Sequence, residues 1–470
     1  MNKKDLLDLL NADISARNII TSFGTDIKNI TTNLQNANPE DIVFYKVYNN
    51  GKSIEDFNKR ISGRNPGLII LNYGCEGFIK NENCIFISAE KFLTVQKKLL
   101  DMMFPDSGKM KIIGVTGTNG KTTTVNLAME ISTMLGHPAI SVGTIGVHDA
   151  VGALVDDLES TTPSFVEFRK LISQYQDKYE VCFIEVSSHS LVQDRLHGLA
   201  LDGGAWTSFS QDHLDYHNSM EEYFEAKMIL EKKYLKPGKS LLVAALEKEL
   251  HKNILKQNPK AKVKIAKTLD ERNFKERPLF YHSPYNQSNV ELALQLNADL
   301  WGEENLNSIK LEDIKTPLGR FSVIELDNDS MAIIDYAHTP DALINIGGAI
   351  RQAFPGYSLT VIFGCGGNRD KTKRPLMGKA VASFADKIIV TSDNPRDEAP
   401  EDIVMDIING ISKGYEAVID RKKAILYALD SKRKKEIILI AGKGHEEYQE
   451  IKGVKHAFSD FNIVQNFKNG

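Results

Sequence analysis

Apolar positions in this chain come in short runs that stop at glycine or polar turns, and the clearest run opens the stretch IIGVTGTNGKTTTVN. Ile112, Ile113 and Val115 predict a buried strand, Gly117 to Gly120 a tight turn, and Lys121-Thr122-Thr123 the start of a helix. From there apolar runs alternate with helical periodicity. Strands are predicted at Ile112–Val115, Ala139–Val142, Val181–Val186 and Leu241–Ala245, with a helix over Thr122–Met134, the pattern of an open parallel sheet covered on both faces. After Leu318-Gly319-Arg320 the rhythm starts afresh in MAIIDYAHTPDAL, LTVIFGCGGNRDKTKRP, KIIVTSDNPRDEAP and IILIAGKGHEEYQ. Proline at the first helical turn predicts helices beginning near Pro340, Pro375 and Pro400, which puts all four turns at one edge of a second parallel sheet.

Ahead of these, residues 1–106 show weaker strands (Ile42–Val47, Gly67–Leu71, Cys84–Ile87) in Asn-rich polar text and a helical run over Ala89–Met103, ending in the linker Pro105-Asp106-Ser107-Gly108. The fold class is therefore α/β in three domains: a small N-terminal α/β domain (1–106), a central P-loop ATPase-like parallel-sheet domain (107–314) and a C-terminal Rossmann-like domain (315–470). A length of 470 residues accommodates three such cores.

Charge and cysteines narrow the class. A formal charge of -4 with lysines spread along the chain offers no basic block for nucleic acid or an acidic membrane. Cys75, Cys84, Cys182 and Cys365 match neither a metal knuckle nor a disulfide framework and read as reduced thiols. MNKKDLLDLLNAD lacks a signal-peptide core and no stretch approaches a membrane span, so a cytoplasmic protein is expected.

The glycine turn carries the first chemistry. Gly117-Thr118-Asn119-Gly120 would turn backbone N–H groups toward an anion, Lys121 would bridge terminal phosphates and Thr122 would offer a hydroxyl to Mg²⁺, so ATP or GTP with magnesium is expected. Val115 stands where the general pattern has glycine. Glu185, near the end of its apolar run, is either a Mg²⁺ ligand or an ion-paired carboxylate. In DHLDYH, His213 and His217 are candidates for a second metal or for structural hydrogen bonds, and Lys227 reads as a solvated helix lysine. Asn286 and Asn289 are read as helix caps or as adenine contacts. The C-terminal turns present Asp335, Tyr336, His338, Asn368, Arg369, Asp370, Lys371, Asp393, Asn394, Arg396, Lys443, His445 and Glu446, which predicts a site facing the phosphate loop across a cleft.

GTNGKTTT, EVSSHSL, DHLDYH, the EAK ending at Lys227, LGRF, DYAHTPDAL, FGCGGNRDKTKRPLMG, DNPR and GKGHE, in that order, resemble the Mur ligases, above all the MurE type. The resemblance covers about 107 to 470. It implies an ATP-dependent amide ligase of peptidoglycan precursor synthesis that activates UDP-N-acetylmuramoyl-L-alanyl-D-glutamate as an acyl phosphate and adds meso-diaminopimelate. It also implies that Lys121, Glu185, His213 and Lys227 are catalytic, that Gly117 to Thr123, Asn286, Asn289, Arg320, Asp335 and His338 bind ATP, and that Thr122, Glu185, His213 and a carbamylated Lys227 (N6-carboxylysine) hold Mg²⁺. Thr161, Thr162, Ser187 and Arg195 match acceptor positions. Arg369, Asp393, Asn394, Arg396, Gly442 and Glu446 match the site for the incoming amino acid, where Arg396 would grip a distal carboxylate that L-lysine lacks and Glu446 would pair the distal ammonium. A monomer is expected. A related ligase with another acceptor or amino acid, or a non-catalytic MurE-like scaffold, is the alternative. Departures are Ser208 for the usual Asn, Asn368 for an Asp, FSDF without a following Arg, and Thr31-Thr32-Asn33 where a DSR-type uridine motif is expected.

Overall fold

The computed structural model describes residues 3–10, 14–22, 27–47, 51–62, 64, 67–72, 79, 83–151, 154–156, 158, 160–269 and 278–469. They form two compact units, one joining Met1–Lys111 with Thr162–Glu180 and Val192–Ala200, the other holding Ile112–Thr161, Val181–Leu191 and Leu201–Gly470.

In the first unit, strands β1 (Asn29–Thr31), β2 (Asp41–Tyr45), β3 (Leu68–Asn72) and β4 (Cys84–Ile87) form a parallel sheet in sequence order. Val43, Phe57, Ile69 and Leu71 fill its core. Helix Ala89–Met103 is capped by the Ser88 hydroxyl, which accepts from Lys91 N. Helix Phe165–Tyr175 also belongs here, although the sequence assigned it to the central domain. Its Arg169, 5% exposed, reaches Asp101 at 3.0 Å, Asp106 at 3.5 Å and the carbonyl of Phe104, an ion-paired anchor that apolar patterning does not reveal. Thr32 donates to Glu167 on the same helix through both its backbone N–H and its hydroxyl.

The second unit carries two sheets. The first comprises β5 (Lys111–Thr116), β6 (Ala139–Gly143), β7 (Gly146–Asp149), β8 (Leu154–Asp156), β9 (Val181–Glu185), β10 (Gly203–Trp206), β11 (Leu241–Val243) and β12 (Val263–Ile265), in the order β12-β11-β10-β5-β9-β6-β7-β8. β12, β11, β10 and β5 run parallel, as do β9 and β6, while β7 and β8 extend the edge antiparallel. Four of these strands escape the sequence reading. β10 is hidden by Gly203 and Gly204, whose missing side chains leave room for Ile113, Leu230 and Leu235. Helix Met220–Ile229 continues as a π turn over Leu230–Tyr234.

The second sheet comprises β13 (Ser322–Glu325), β14 (Met331–Asp335), β15 (Ser358–Phe363), β16 (Lys387–Val390), β17 (Glu416–Ala417) and β18 (Glu436–Ala441), ordered β13-β14-β18-β15-β16-β17 with only β13 antiparallel. A hairpin of β19 (Tyr448–Ile451) and β20 (Val454–Ala457) follows. Helices Pro340–Ala353 and Pro400–Ile408 start on their prolines, and the helix expected near Pro375 starts at Lys373. One apolar cluster runs from Val125 and Met129 through Val290 and Leu294 to Ile333 and Val361, so the two sheets of this unit share a continuous core. Cys84, Cys182 and Cys365 are buried free thiols; Cys75 lies outside the described residues.

Candidate active site

The order β10-β5-β9 decides the site. It sets Glu185, at the end of β9, and the segment after Trp206, at the end of β10, on either side of the loop that follows β5. That loop is tied down by Ser208, whose carbonyl accepts from Thr118 N and whose hydroxyl accepts from Asn119 N, each at 2.9 Å. Gly120 has φ 88° and a Cβ there would run into the Asn289 amide, so glycine is required twice over. Thr122 and Thr123 are buried in the first turn of helix Lys121–Met134. Lys121 folds back to donate to the carbonyls of Gly117 (2.9 Å) and Thr118 (3.0 Å).

Lys227 is no solvated lysine. It stands one helical turn after Tyr223, on the face that carries buried Tyr223, Ala226 and Met228; it is 1% exposed, its ammonium lies 4.7 Å from the Tyr223 ring centroid, and it donates to the Gly117 carbonyl at 2.9 Å. Burial, reinforced by the nearby Lys121 charge, pushes its pKa well below the ordinary lysine value.

Glu185 is 1% exposed and held through both oxygens, accepting from Thr144 N at 2.9 Å and from the Thr144 hydroxyl at 3.2 Å. A Cβ on Gly143 would overlap this carboxylate, so the strand end is shaped to seat it. The Thr144 hydroxyl also lies 3.1 Å from that of Thr161. His213, at φ 56°, has its pKa lowered to about 3, chiefly by burial, and so presents a neutral imidazole. His217 bonds the Ser188 hydroxyl at 2.9 Å, which favours the structural reading of that histidine. Asp212, 3% exposed, pairs with Lys373 at 3.1 Å and lies 4.0 Å from His338; the Lys373 ammonium above all holds its carboxyl far below the usual range despite burial.

Nucleotide-candidate residues gather from the second sheet. Arg320 donates to the Thr122 hydroxyl at 2.9 Å and stacks 4.5 Å over the Tyr336 ring. Asp335 accepts from Phe321 N and Ala337 N, and His338 contacts the Tyr336 carbonyl through Nδ1. Asn119 reaches Thr339 at 3.2 Å and Asp341 at 3.4 Å. The helix read as opening near Asn286 and Asn289 instead begins at Pro284, and neither asparagine caps it. Asn286 donates to the Phe280 carbonyl while Asn289 accepts from the Thr124 hydroxyl.

The four acceptor candidates divide between the units. Thr161 and Ser187 belong to the second; Thr162 and Arg195 belong to the first, where Arg195 donates to the Thr162 carbonyl at 2.7 Å. Along the C-terminal edge, Asp393 and Asn394 are buried, Arg369 is exposed, and Arg396 donates to Glu450 (3.1 Å) and to the Gly367 carbonyl (2.8 Å). Glu446, expected beside a substrate ammonium, is paired with Lys443 at 2.9 Å. Thr144, Ser208, Asp212, Lys373 and Lys443 are thus built into the site without having been assigned roles from sequence, because each acts on a partner that is remote in the chain.

Among the described residues no group of three His, Cys, Asp or Glu side chains is placed to hold a metal ion. The predicted set contains only two such side chains, Glu185 and His213, beside the Thr122 hydroxyl and a carbamate on Lys227. Its hard oxygen donors and neutral imidazole fit a magnesium-sized cation, and Thr116 Oγ1, where β5 meets the loop, is buried without a partner among the described residues.

A family model described as the Mur ligase middle domain matches residues 115–310, and one described as the Mur ligase, glutamate ligase domain matches residues 319–444. The chain belongs to the Mur ligase family. It is 38% identical over 389 residues to the UDP-N-acetylmuramoyl-L-alanyl-D-glutamate--2,6-diaminopimelate ligase of Bacteroides fragilis, covering 76% of this chain and 78% of that protein. A solved structure of a ligase of the same name is similar over 99% of this chain and 98% of its own, at 26% identity and a TM-score of 0.56. The MurF ligase of Thermotoga maritima, solved in complex with ADP, shares the fold at 15% identity, covering 88% of this chain and 93% of its own with a TM-score of 0.59.

Proposed function

We propose that this chain is an ATP-dependent ligase of peptidoglycan precursor synthesis that joins 2,6-diaminopimelate, in its meso form, to UDP-N-acetylmuramoyl-L-alanyl-D-glutamate. The observation that carries this reading is the 38% identity to the Bacteroides fragilis ligase across 78% of its length. In this reading residues 1–106 serve the UDP end, 107–314 the ATP and 315–470 the amino acid.

The loop N–H groups and Lys121 cradle the phosphates, while Arg320, Asp335, His338, Asn286 and Asn289 hold the nucleoside. A glutamyl side-chain oxygen attacks the γ-phosphorus and ADP leaves; the amino group of diaminopimelate then attacks the acyl carbon, and the tetrahedral intermediate expels phosphate to leave the amide. The protein's task is positioning and charge stabilisation. Lys227, pushed toward the neutral amine, is suited to add CO₂ and become a carboxylate-like ligand. Thr122, Glu185, His213 and that carbamate would hold Mg²⁺, which when bound neutralises charge on the transferring phosphoryl group. Thr161, Thr162, Ser187 and Arg195 engage the acceptor. Arg396 receives the distal carboxylate, supported by its bonds to Glu450 and the Gly367 carbonyl, with Arg369, Asp393, Asn394, Gly442 and Glu446 around it.

A cytoplasmic monomer completes the proposal; among the described residues no helix is long and apolar enough to cross a membrane. Phosphate release with ATP, Mg²⁺ and the nucleotide-linked dipeptide tests the reading. Release is expected with meso-diaminopimelate and not with L-lysine or without amino acid. Equal release with L-lysine would reassign Arg396, and none with any amino acid would point to another acceptor or a scaffold.

A further inference from the structure

Lys443 follows β18 in the turn Gly442-Lys443-Gly444 and its side chain is fully buried. A buried ammonium needs compensation, and here three side chains supply it: Asn394 Oδ1 at 3.0 Å, Glu446 Oε2 at 2.9 Å and Asp393 Oδ1 at 3.7 Å. The same Glu446 oxygen accepts from Asn394 Nδ2 at 2.9 Å, and Asn394 Oδ1 also accepts from Glu450 N, so the turn after β16 and the turn after β18 are joined around this lysine. Behind it, Arg421 and Asp460 form a fully buried pair at 2.7 Å whose charges cancel. Asp393 and Glu446 carry two negative charges and Lys443 one positive, which leaves one net negative charge. Among the described residues Glu446 Oε1 accepts no hydrogen bond.

Resting on the reading of function above, we propose that Lys443 is the positioning residue that sets the charge count of the amino-acid pocket. It neutralises one of the two carboxylates and orients Asn394 and Glu446, so that the pocket takes one ammonium beside the carboxylate held by Arg396. The substrate class is therefore an amino acid whose distal end is itself an ammonium–carboxylate pair. With Lys443 neutral, two carboxylates would face the same space, one would have to take up a proton, and the oxygen that meets the ammonium would no longer be fixed.

The experiment compares wild type, Lys443→Met and Lys443→Arg in the phosphate-release assay, with KM for meso-diaminopimelate and for ATP measured separately and thermal melting recorded. Lys443→Met is expected to raise KM for diaminopimelate at least tenfold while KM for ATP stays within twofold; Lys443→Arg, which keeps the charge, is expected to stay within about threefold for both. An unchanged KM for diaminopimelate in Lys443→Met, or equal rises in both KM values, overturns the inference. If Lys443→Met loses its cooperative melting transition, Lys443→Arg decides alone: a KM for diaminopimelate near wild type supports the charge role and a tenfold rise overturns it. Absence of diaminopimelate-dependent release from the wild-type protein would strike the functional reading itself, a different outcome from any of these.

Discussion

Lys121 and Lys227 donate to the same acceptor, the carbonyl oxygen of Gly117, each at 2.9 Å. Burial penalises both charges, so both pKa values fall, and that of Lys227, which also meets the Lys121 charge, falls furthest. The pair relaxes if Lys227 gives up its proton or becomes an anion. Carbamylation does both. A carbamate signal from ¹³C-bicarbonate is therefore expected in the NMR spectrum of the wild-type protein and absent in Lys227→Met, whose ligase activity should fall at least a hundredfold. A fully active Lys227→Met enzyme would remove the lysine from the mechanism.

Thr144 holds Glu185 by a backbone and a side-chain hydrogen bond. Thr144→Val keeps shape and backbone donor but loses the hydroxyl, a loss of about 1.5–3 kcal/mol for a bond to a charged group. We expect Mn²⁺ binding, read by electron paramagnetic resonance in the presence of a non-hydrolysable ATP analogue, to weaken roughly tenfold, with Thr144→Ser close to wild type. Equal Mn²⁺ affinity in the valine variant would mean that the backbone contact alone orients the carboxylate.

Glu130, on helix Lys121–Met134, is 8% exposed, and its pKa is raised to about 7, chiefly by burial, with Lys315 opposing and Asp149 adding to the rise. Because the folded value lies above the unfolded one, the folded state binds the extra proton between about 4.5 and 7, and stability falls as pH rises through that window. Glu130→Gln should therefore melt higher than wild type at pH 8, by about 1–2 kcal/mol once partial solvent access is allowed for, and the advantage should vanish toward pH 4.5. A pH-independent difference would show that the carboxyl is not what titrates.

Arg421 and Asp460 are both fully buried and bonded through Nε and Nη2 at 2.8 and 2.7 Å. Removing one partner strands a charge in the core, so Arg421→Met and Asp460→Leu should each cost about 3–5 kcal/mol in denaturant melts, whereas the apolar double variant Arg421→Met/Asp460→Leu should recover much of it. Strict additivity in this double-mutant cycle would refute the pair as a unit.

Much of the second unit was legible because its signals are local. A strand running into GTNGKT, a proline at a helix start, or GKGHE after IILIA each lie within about fifteen residues, where backbone sterics and hydrophobic period act directly. The same locality misled at Lys227, since the sequence neighbours Glu225 and Glu231 do not reveal that position 227 shares its helix face with Tyr223 and meets a carbonyl 110 residues earlier. It also hid β10, because glycines that make room for neighbours look like a loop until those neighbours are known.

The sequence by itself determined which residues are chemically equipped: a glycine turn suited to phosphate, a strand-end carboxylate, and polar turns following the strands of a second parallel sheet. Only the tertiary structure decided which of them meet. β5 lies between β9 and β10, which brings Glu185 and the DHLDYH segment to either side of Lys121, and β18 lies between β14 and β15, which fixes the GKGHE turn between two strands that begin 105 and 78 residues earlier. Helix Phe165–Tyr175 joins the first unit through Arg169 and Glu167 rather than through its place in the chain. Strand order and buried ion pairs join residues far apart in sequence, and their energies depend on desolvation by the assembled core, a quantity that no single stretch of chain contains.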